Sequence, residues 1–236
     1  MHLLEVKDIT SGYEGVQILW GVNLRLEQGK LTTLVGSNGV GKTTLLKTMM
    51  GLLRPWQGTV TFGGRDVSQW SAHARAKAGM VLVPEGRQLF TDMTIMENLE
   101  MGAFSRRARS SFQQNLEKVF ELFPRLKERA RQKTGTLSGG EQQMVAVARG
   151  LMAEPEVLML DELSLGLSPL LALTLFESLT RLKKTGLTML LVEQNVTMAL
   201  AVSDFAYVLA EGRVHLEGEA RALMKNDEIR RTYLGI

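Results

Sequence analysis

The sequence predicts an α/β fold in which a glycine-rich loop joins a strand to a helix and an inserted helical lobe interrupts the β/α alternation. Three observations predict it. The apolar run Leu31 to Val35 leads into GSNGVGKTT at Gly36 to Thr44 and then into a helical pattern, Thr43 to Leu53. A second apolar run, Val157 to Leu160, delivers Asp161 and Glu162 to a strand end. Between them, from about Phe90 to Arg149, apolar spacing turns helical, as in Phe112, Leu116, Val119, Phe120 and Phe123, and LSGGEQ at Leu137 to Gln142 lies near the end of that stretch.

The elements follow in order. Residues 3 to 9 and 17 to 26 alternate as half-exposed strands, with Gly12, Tyr13, Glu14 and Gly15 as the turn between them, which predicts an antiparallel β start. Gln57 to Gly58 and Gly63 to Gly64 bracket a short strand, Thr59 to Phe62. After the helical lobe come a helix at Leu170 to Lys183, a strand at Thr188 to Val192, a helix at Val196 to Val202, and a hairpin of Ala206 to Leu209 with Val214 to Glu217 around Glu211 and Gly212. A short helix follows, and neither an internal repeat nor an appended regulatory domain is expected.

Composition narrows the class. At 236 residues and 44% hydrophobic content, the chain is long enough for one sizeable core with a smaller partner lobe, so disordered and fibrous readings are excluded. Its longest apolar runs fall short of the roughly 18 to 20 residues that cross a bilayer, so a soluble or peripheral protein is expected. Met1 to Lys7 alternates like a strand and lacks the features of a signal peptide, which predicts a cytoplasmic protein. The absence of cysteine excludes a disulfide framework and thiolate metal sites. Net charge is only +3, and the basic stretches at Arg106, Arg107 and Arg109 and from Arg125 through Lys133 read as solvated helix faces, with anionic lipid headgroups as the other reading. Neither an aromatic platform nor a dense basic stripe accompanies them, so nucleic acid is not an expected partner.

Three motifs carry the chemistry. In the first, Gly36, Ser37, Asn38, Gly39, Val40 and Gly41 shape a loop whose backbone N–H groups converge on phosphate oxygens, Lys42 neutralises the β and γ phosphates of ATP, Thr43 offers a hydroxyl to Mg²⁺, and Thr44 completes the loop. In the second, Asp161 would hold the Mg²⁺ shell and Glu162 would orient and deprotonate the attacking water. In the third, Ser138, Gly139 and Gly140 precede a helical stretch, Glu141 to Met152, and form a second anion cradle. Ser138 and Glu141 also have the spacing of a capping box, and both roles can hold at once. A chain with one γ-phosphate cradle has no local need for another, so the second is expected to serve a neighbouring subunit's nucleotide.

On these residues the whole chain resembles the ABC-transporter ATPases. That resemblance implies a P-loop NTPase cassette over residues 1–236, with 1–89 and 150–236 forming an antiparallel β subdomain plus a RecA-like core and 90–149 forming a helical signature subdomain. It implies two cassettes enclosing two ATP molecules head to tail, with Tyr13 stacked on adenine and Ser138, Gly139, Gly140 and Glu141 reaching the partner's nucleotide.

VPEGRQLF at Val83 to Phe90, LFPRLKER at Leu122 to Arg129, LSGGEQQM at Leu137 to Met144, SLGLSP at Ser164 to Pro169, LVEQN at Leu191 to Asn195 and the ending YLGI are most similar to the smaller ATPase subunit of branched-chain amino acid importers. The resemblance places Glu85 at the Q-loop position, facing the metal, and Gln194 at the switch-histidine position, where an amide can bond the γ-phosphate without carrying charge. Ser168 takes the place of an aspartate, and Leu163 stands where the pattern has proline, restoring an N–H.

The implied partners are two transmembrane permease subunits, a sister ABC ATPase or a second copy, and indirectly a solute-binding protein, at the cytoplasmic face of the inner membrane. Glu85 to Leu99 would contact the permeases, with Phe90, Met93, Ile95 and Met96 as packing or docking residues. Urea or amide importers and lipopolysaccharide exporters share much of this layout. A soluble ABC ATPase of translation or DNA repair would need a second cassette or a long coiled-coil insertion, and a small-molecule kinase leaves LSGGEQ without a role.

Overall fold

The computed structural model describes residues 2–231, so the YLGI ending at 233–236 lies outside it. β1 (His2–Tyr13) and β2 (Val16–Glu27) pair antiparallel across Glu14 and Gly15, both left-handed (φ 49° and 84°) as a tight hairpin requires. The hairpin is longer than the sequence pattern suggests. Gly12 and Tyr13 pair with Gln17 and Val16, so Tyr13 ends a strand instead of occupying the turn.

β3 (Leu31–Val35) precedes the phosphate loop and α1 (Lys42–Met49) follows it. The sequence pattern carries that helix to Leu53, but Gly51 adopts φ 72° and the chain turns back. The Gly51 N–H donates to the Thr48 carbonyl at 3.1 Å and the Leu52 N–H to the Lys47 carbonyl at 2.9 Å, a glycine cap that ends the helix.

β4 (Gln57–Phe62), β5 (Arg65–Asp66), α2 (Ala72–Lys77) and β6 (Met80–Val83) follow. Of these the sequence reading anticipates only β4. The helical stretch comprises α3 (Ile95–Gly102), α4 (Arg106–Ser110), α5 (Phe112–Leu122), α6 (Pro124–Glu128), one 3-10 turn at Thr134–Thr136 and α7 (Gly139–Met152). The chain then runs through β7 (Val157–Asp161), α8 (Pro169–Lys184), β8 (Thr188–Glu193), α9 (Val196–Val202), β9 (Phe205–Ala210), β10 (Arg213–Glu219), α10 (Ala220–Leu223) and α11 (Asp227–Ile229).

Two sheets result. β2, β1, β4 and β5 form one, in that order, and β10, β9, β3, β8, β7 and β6 form the other. In the second sheet β9, β3, β8, β7 and β6 run parallel and β10 pairs antiparallel to β9. Every residue of β3, β7 and β8 is buried, as expected of parallel strands covered on both faces.

Alternation sorts their side chains into two cores. Leu158, Leu160, Met189 and Leu191 pack with the helices on one face, against Val145, Leu175 and Ala199. Val157, Met159, Leu190 and Val192 pack with α1 and the antiparallel sheet on the other, against Leu45, Met49 and Leu4. Each such side chain contributes roughly 1.5–3 kcal/mol on burial, so the parallel sheet is held from both faces.

Two buried polar side chains fix neighbouring segments. Arg75 on α2 is 1% exposed and its guanidinium donates to the carbonyls of Thr48 (2.8 Å), Met49 (2.6 Å) and Ser68 (2.9 Å). A cation therefore closes the C-terminal, electronegative end of the helix whose other end carries the phosphate loop. Asn98 on α3 is fully buried. It accepts from the Phe90 N–H and donates to the carbonyls of Phe90 and Thr94, which fixes the 90–94 segment ahead of the helices.

Candidate active site

The residues singled out from the sequence converge because four strands end side by side. The phosphate loop follows β3, Glu85 follows β6, Asp161 closes β7, and Gln194 follows β8. Val35 is in register with Glu193, and Asp161 with Val192. All four loops thus leave the same carboxyl edge of the sheet, where ligands bind in open α/β folds.

Gly41 makes the loop-to-helix junction possible. It is the N-cap of α1 at φ 107°, and a Cβ there would lie 2.9 Å from the Leu19 side chain. Lys42 is almost fully buried, and its ammonium donates to the carbonyls of Gly36 (2.8 Å) and Ser37 (3.0 Å) and pairs with Glu162 at 3.1 Å. The phosphate-loop lysine and the second carboxylate are therefore in direct contact, from sequence positions 120 residues apart.

A cavity of about 390 Å³ opens over these groups. Tyr13, Asn38, Gly39, Gly41, Lys42, Thr43, Thr44, Glu85 and Glu162 all line it, together with Ile18 and Leu165. Tyr13 presents a half-exposed ring at the rim, with the Lys47 ammonium 5.6 Å from its centroid. A larger groove of about 450 Å³ between α5, α8 and the end of α7 contains none of the site residues expected from the sequence.

Asp161 and Thr43 fit a hard divalent cation. Asp161 is 2% exposed, its Oδ1 is buried without a hydrogen-bond partner, and the Thr43 hydroxyl faces its carboxylate. Burial pushes its pKa up to about 6, with Glu162 and Glu85 adding to the rise and Thr43 and Lys42 opposing it. An oxygen so placed lacks only a positive charge, and Mg²⁺ usually takes one or two protein oxygens beside nucleotide phosphates.

This burial has a pH signature. Below the ordinary value of 3.8, Asp161 is protonated folded or unfolded. As pH rises towards 6 only the unfolded chain ionises, and above 6 the folded state bears the full cost, about 3 kcal/mol. Asp161→Asn should therefore raise the melting temperature of metal-free protein at pH 8, with the gain shrinking towards pH 4. A gain independent of pH in thermal melts would refute the burial explanation.

Glu162 itself is held in an unusual conformation. Its φ is 46°, in the left-handed region, and its N–H donates to the Val192 carbonyl at 2.8 Å. Leu163 is fully buried in the helical-side core. Ser164 donates its N–H (3.0 Å) and hydroxyl (2.7 Å) to the two carboxylate oxygens of Glu193, which the Leu163 N–H also faces. Burial raises the Glu193 pKa, and those donors oppose the rise. Gln194 is exposed and lies beside this cluster, outside the residues lining the cavity.

None of the LSGGEQ residues lines the same chain's cavity. Ser138 caps α7, accepting from the Glu141 N–H while the Glu141 carboxylate accepts from the Ser138 N–H (2.9 Å) and hydroxyl (2.8 Å). Those bonds hold the Glu141 carboxyl below the usual range, and Arg129 pairs with it at 2.9 Å. The capping box is therefore formed, and exposed Ser138 and half-buried Gly139 leave the helix N-terminus accessible from outside. Arg87, two residues after Glu85, donates to Gln142 at 3.0 Å, and Arg149 donates to the Arg87 carbonyl at 3.2 Å. This tie between the Glu85 loop and α7 was not read from the sequence, because it joins residues 55 apart.

A strand, glycine loop and helix with buried lysine, hydroxyl and carboxylates at one sheet edge define a P-loop nucleotide triphosphatase site. Residues 19–164 match the family model described as ABC transporter. The chain is 41% identical over 233 residues to the high-affinity branched-chain amino acid transport ATP-binding protein BraG of Pseudomonas aeruginosa, covering 99% of this chain and 100% of that one. It is 32% identical over 237 residues to the lipopolysaccharide export system ATP-binding protein LptB of Haemophilus influenzae, covering 100% and 98%. Among solved structures it resembles MJ1267, an ATP-binding cassette of an ABC transporter in its ADP conformation, at a TM-score of 0.84 and 28% identity over the full length of both. The chain belongs to the ABC transporter family as one of its ATPases.

Proposed function

We propose that this ATPase powers import of branched-chain or related amino acids, as the smaller of two ATPase subunits at the cytoplasmic face of the inner membrane. The observation that carries this reading is the similarity to BraG along the whole chain. The 1–236 cassette, with core segments 1–89 and 150–236 and signature segment 90–149, pairs with a sister ATPase or a second copy beneath two permeases. A solute-binding protein delivers the substrate, and nucleic acid plays no part. Among the described residues no helix is long and apolar enough to cross a membrane, which fits a peripheral role.

The site residues take the following roles. Gly36 to Thr44 hold the phosphates, with Lys42 as the neutralising cation. Thr43, Asp161 and Glu85 face Mg²⁺, which supplies charge neutralisation at the phosphates when bound. Tyr13 carries the adenine, and Glu162 activates water. Ser138 to Glu141 serve the opposing subunit's nucleotide, consistent with their absence from the lining of this chain's own cavity.

The exposed apolar residues of this region are the proposed permease-docking face. Phe90, Met93, Met101 and Phe104 are exposed, whereas Ile95 is fully buried, so Ile95 belongs to packing and Met101 and Phe104 join the docking face.

Gln194 at the switch position makes the two composite sites unequal, the sister subunit supplying the more typical residue. Gln194→His in a reconstituted complex should make turnover pH-dependent near the histidine range. An unchanged rate and profile would remove Gln194 from the mechanism.

Isolation of Glu162→Gln protein from native membranes, followed by mass spectrometry, tests the transport class. Two multi-span permeases with a second ATPase are expected. Envelope-export partners would favour the lipopolysaccharide exporter, for which the full-length similarity to LptB is the supporting observation.

A further inference from the structure

We propose that Glu193 is a positioning residue for hydrolysis, gripping the backbone after Glu162 so that the Glu162 carboxylate is held towards the γ-phosphate side of the cavity. This rests on the assignment of Glu162 as the residue that activates water. Glu193 is 1% exposed and sits at the last position of β8, directly after the apolar run Met189 to Val192. A carboxylate there carries a desolvation cost that apolar residues at the same position would avoid. What it gains is fixed geometry at the end of β7.

Glu162 has a left-handed backbone, a conformation that costs a non-glycine residue about 1–3 kcal/mol and persists only where its surroundings enforce it. The enforcement is visible on both sides. Upstream, the Glu162 N–H is tied to Val192 of β8. Downstream, the Leu163 N–H faces the Glu193 carboxylate, and Ser164 donates both its N–H and its hydroxyl to it. The Leu163 side chain is anchored in the core.

Residues 162–164 are thus fastened to the end of β8 at consecutive positions, and the proline-to-leucine departure at 163 supplies one of the donors. Lys42 holds the Glu162 side chain itself, at 3.1 Å. Because Gln194 directly follows Glu193, the same carboxylate links the hydrolytic end of β7 to the start of the switch segment.

The test compares ATP turnover, ATP affinity and melting temperature for full-length Glu193→Ala, Glu193→Gln and Ser164→Ala. Glu193→Ala should lower kcat about 10²-fold, the cost of misplacing a reacting group by about 1 Å, while ATP affinity stays near wild type. Glu193→Gln keeps an acceptor for the Ser164 N–H and a donor for its hydroxyl oxygen, so it should recover most of the turnover. Ser164→Ala, which removes a single hydroxyl, should fall between them and carries the test if Glu193→Ala does not fold.

Wild-type kcat in Glu193→Ala would overturn the proposal, as would a glutamine variant no better than alanine. So would loss of ATP affinity in step with kcat and melting temperature, the pattern of a purely structural role. Glu162→Gln measured alongside separates the two levels. Hydrolysis surviving in that variant defeats the assignment of Glu162, whereas hydrolysis lost there but kept in Glu193→Ala defeats only the positioning role.

Discussion

Glu162→Gln should lower ATP hydrolysis by about 10²–10⁴-fold, the range for removing a positioned general base, while leaving ATP binding nearly intact. The amide has the shape of the carboxylate and can still face Lys42, but it cannot take a proton from water. Because Lys42 no longer has a charged protein partner, its attraction for phosphate does not weaken, and ATP affinity should hold or rise. Phosphate-release kinetics and equilibrium binding of a fluorescent ATP analogue read the two quantities separately. A parallel loss of both would mean that Glu162 serves only to organise the phosphate loop.

Arg75→Met should destabilise the fold by about 2–4 kcal/mol, the scale for leaving buried carbonyls without their charged donor, and lower the melting temperature by about 10 °C for a chain of this size. Methionine fills much of the same volume, so lost packing is a minor part of the change. What disappears are the donors to Thr48, Met49 and Ser68. The first two carbonyls close α1, and a frayed α1 disturbs the helix that carries Lys42 and Thr43 at its other end. Residual ATP affinity should therefore fall with stability, in contrast to Glu162→Gln. A change of less than about 1 kcal/mol would show that water satisfies these carbonyls as well as the guanidinium does.

The contrast between those two residues marks what the sequence could reveal. Glu162 and the Gly36 to Thr44 loop were legible because their chemistry is local: a buried strand, a turn and a helix start follow one another within a dozen residues. Ser138 and Glu141 were legible for the same reason, as a capping box needs only a three-residue spacing. Arg75 gave no signal, because its partners lie on α1 and before α2, and nothing in AHARAK marks one basic residue as buried. β6 is only four residues long, too short for apolar periodicity to separate strand from helix.

The end of α1 is not legible in the sequence because Leu52 and Leu53 continue an apolar pattern past a glycine whose left-handed turn only the backbone reveals. Phe90, Met93, Ile95 and Met96 read as packing or docking residues alike in the sequence, and only the helix phase separates them, sending Ile95 into the core while Phe90 and Met93 stay exposed. Glu193 was the most recoverable of the missed residues, as a lone carboxylate ending the apolar run Thr188 to Val192.

ATP-driven uptake of radiolabelled leucine tests the central claim most directly, measured in proteoliposomes that contain this chain with the permeases and second ATPase recovered from membranes. Uptake that requires ATP and the solute-binding protein, and that stops with Glu162→Gln in this subunit alone, is the predicted result. Undiminished leucine uptake with Glu162→Gln, or a purified complex that hydrolyses ATP but moves no branched-chain or related amino acid, would contradict it.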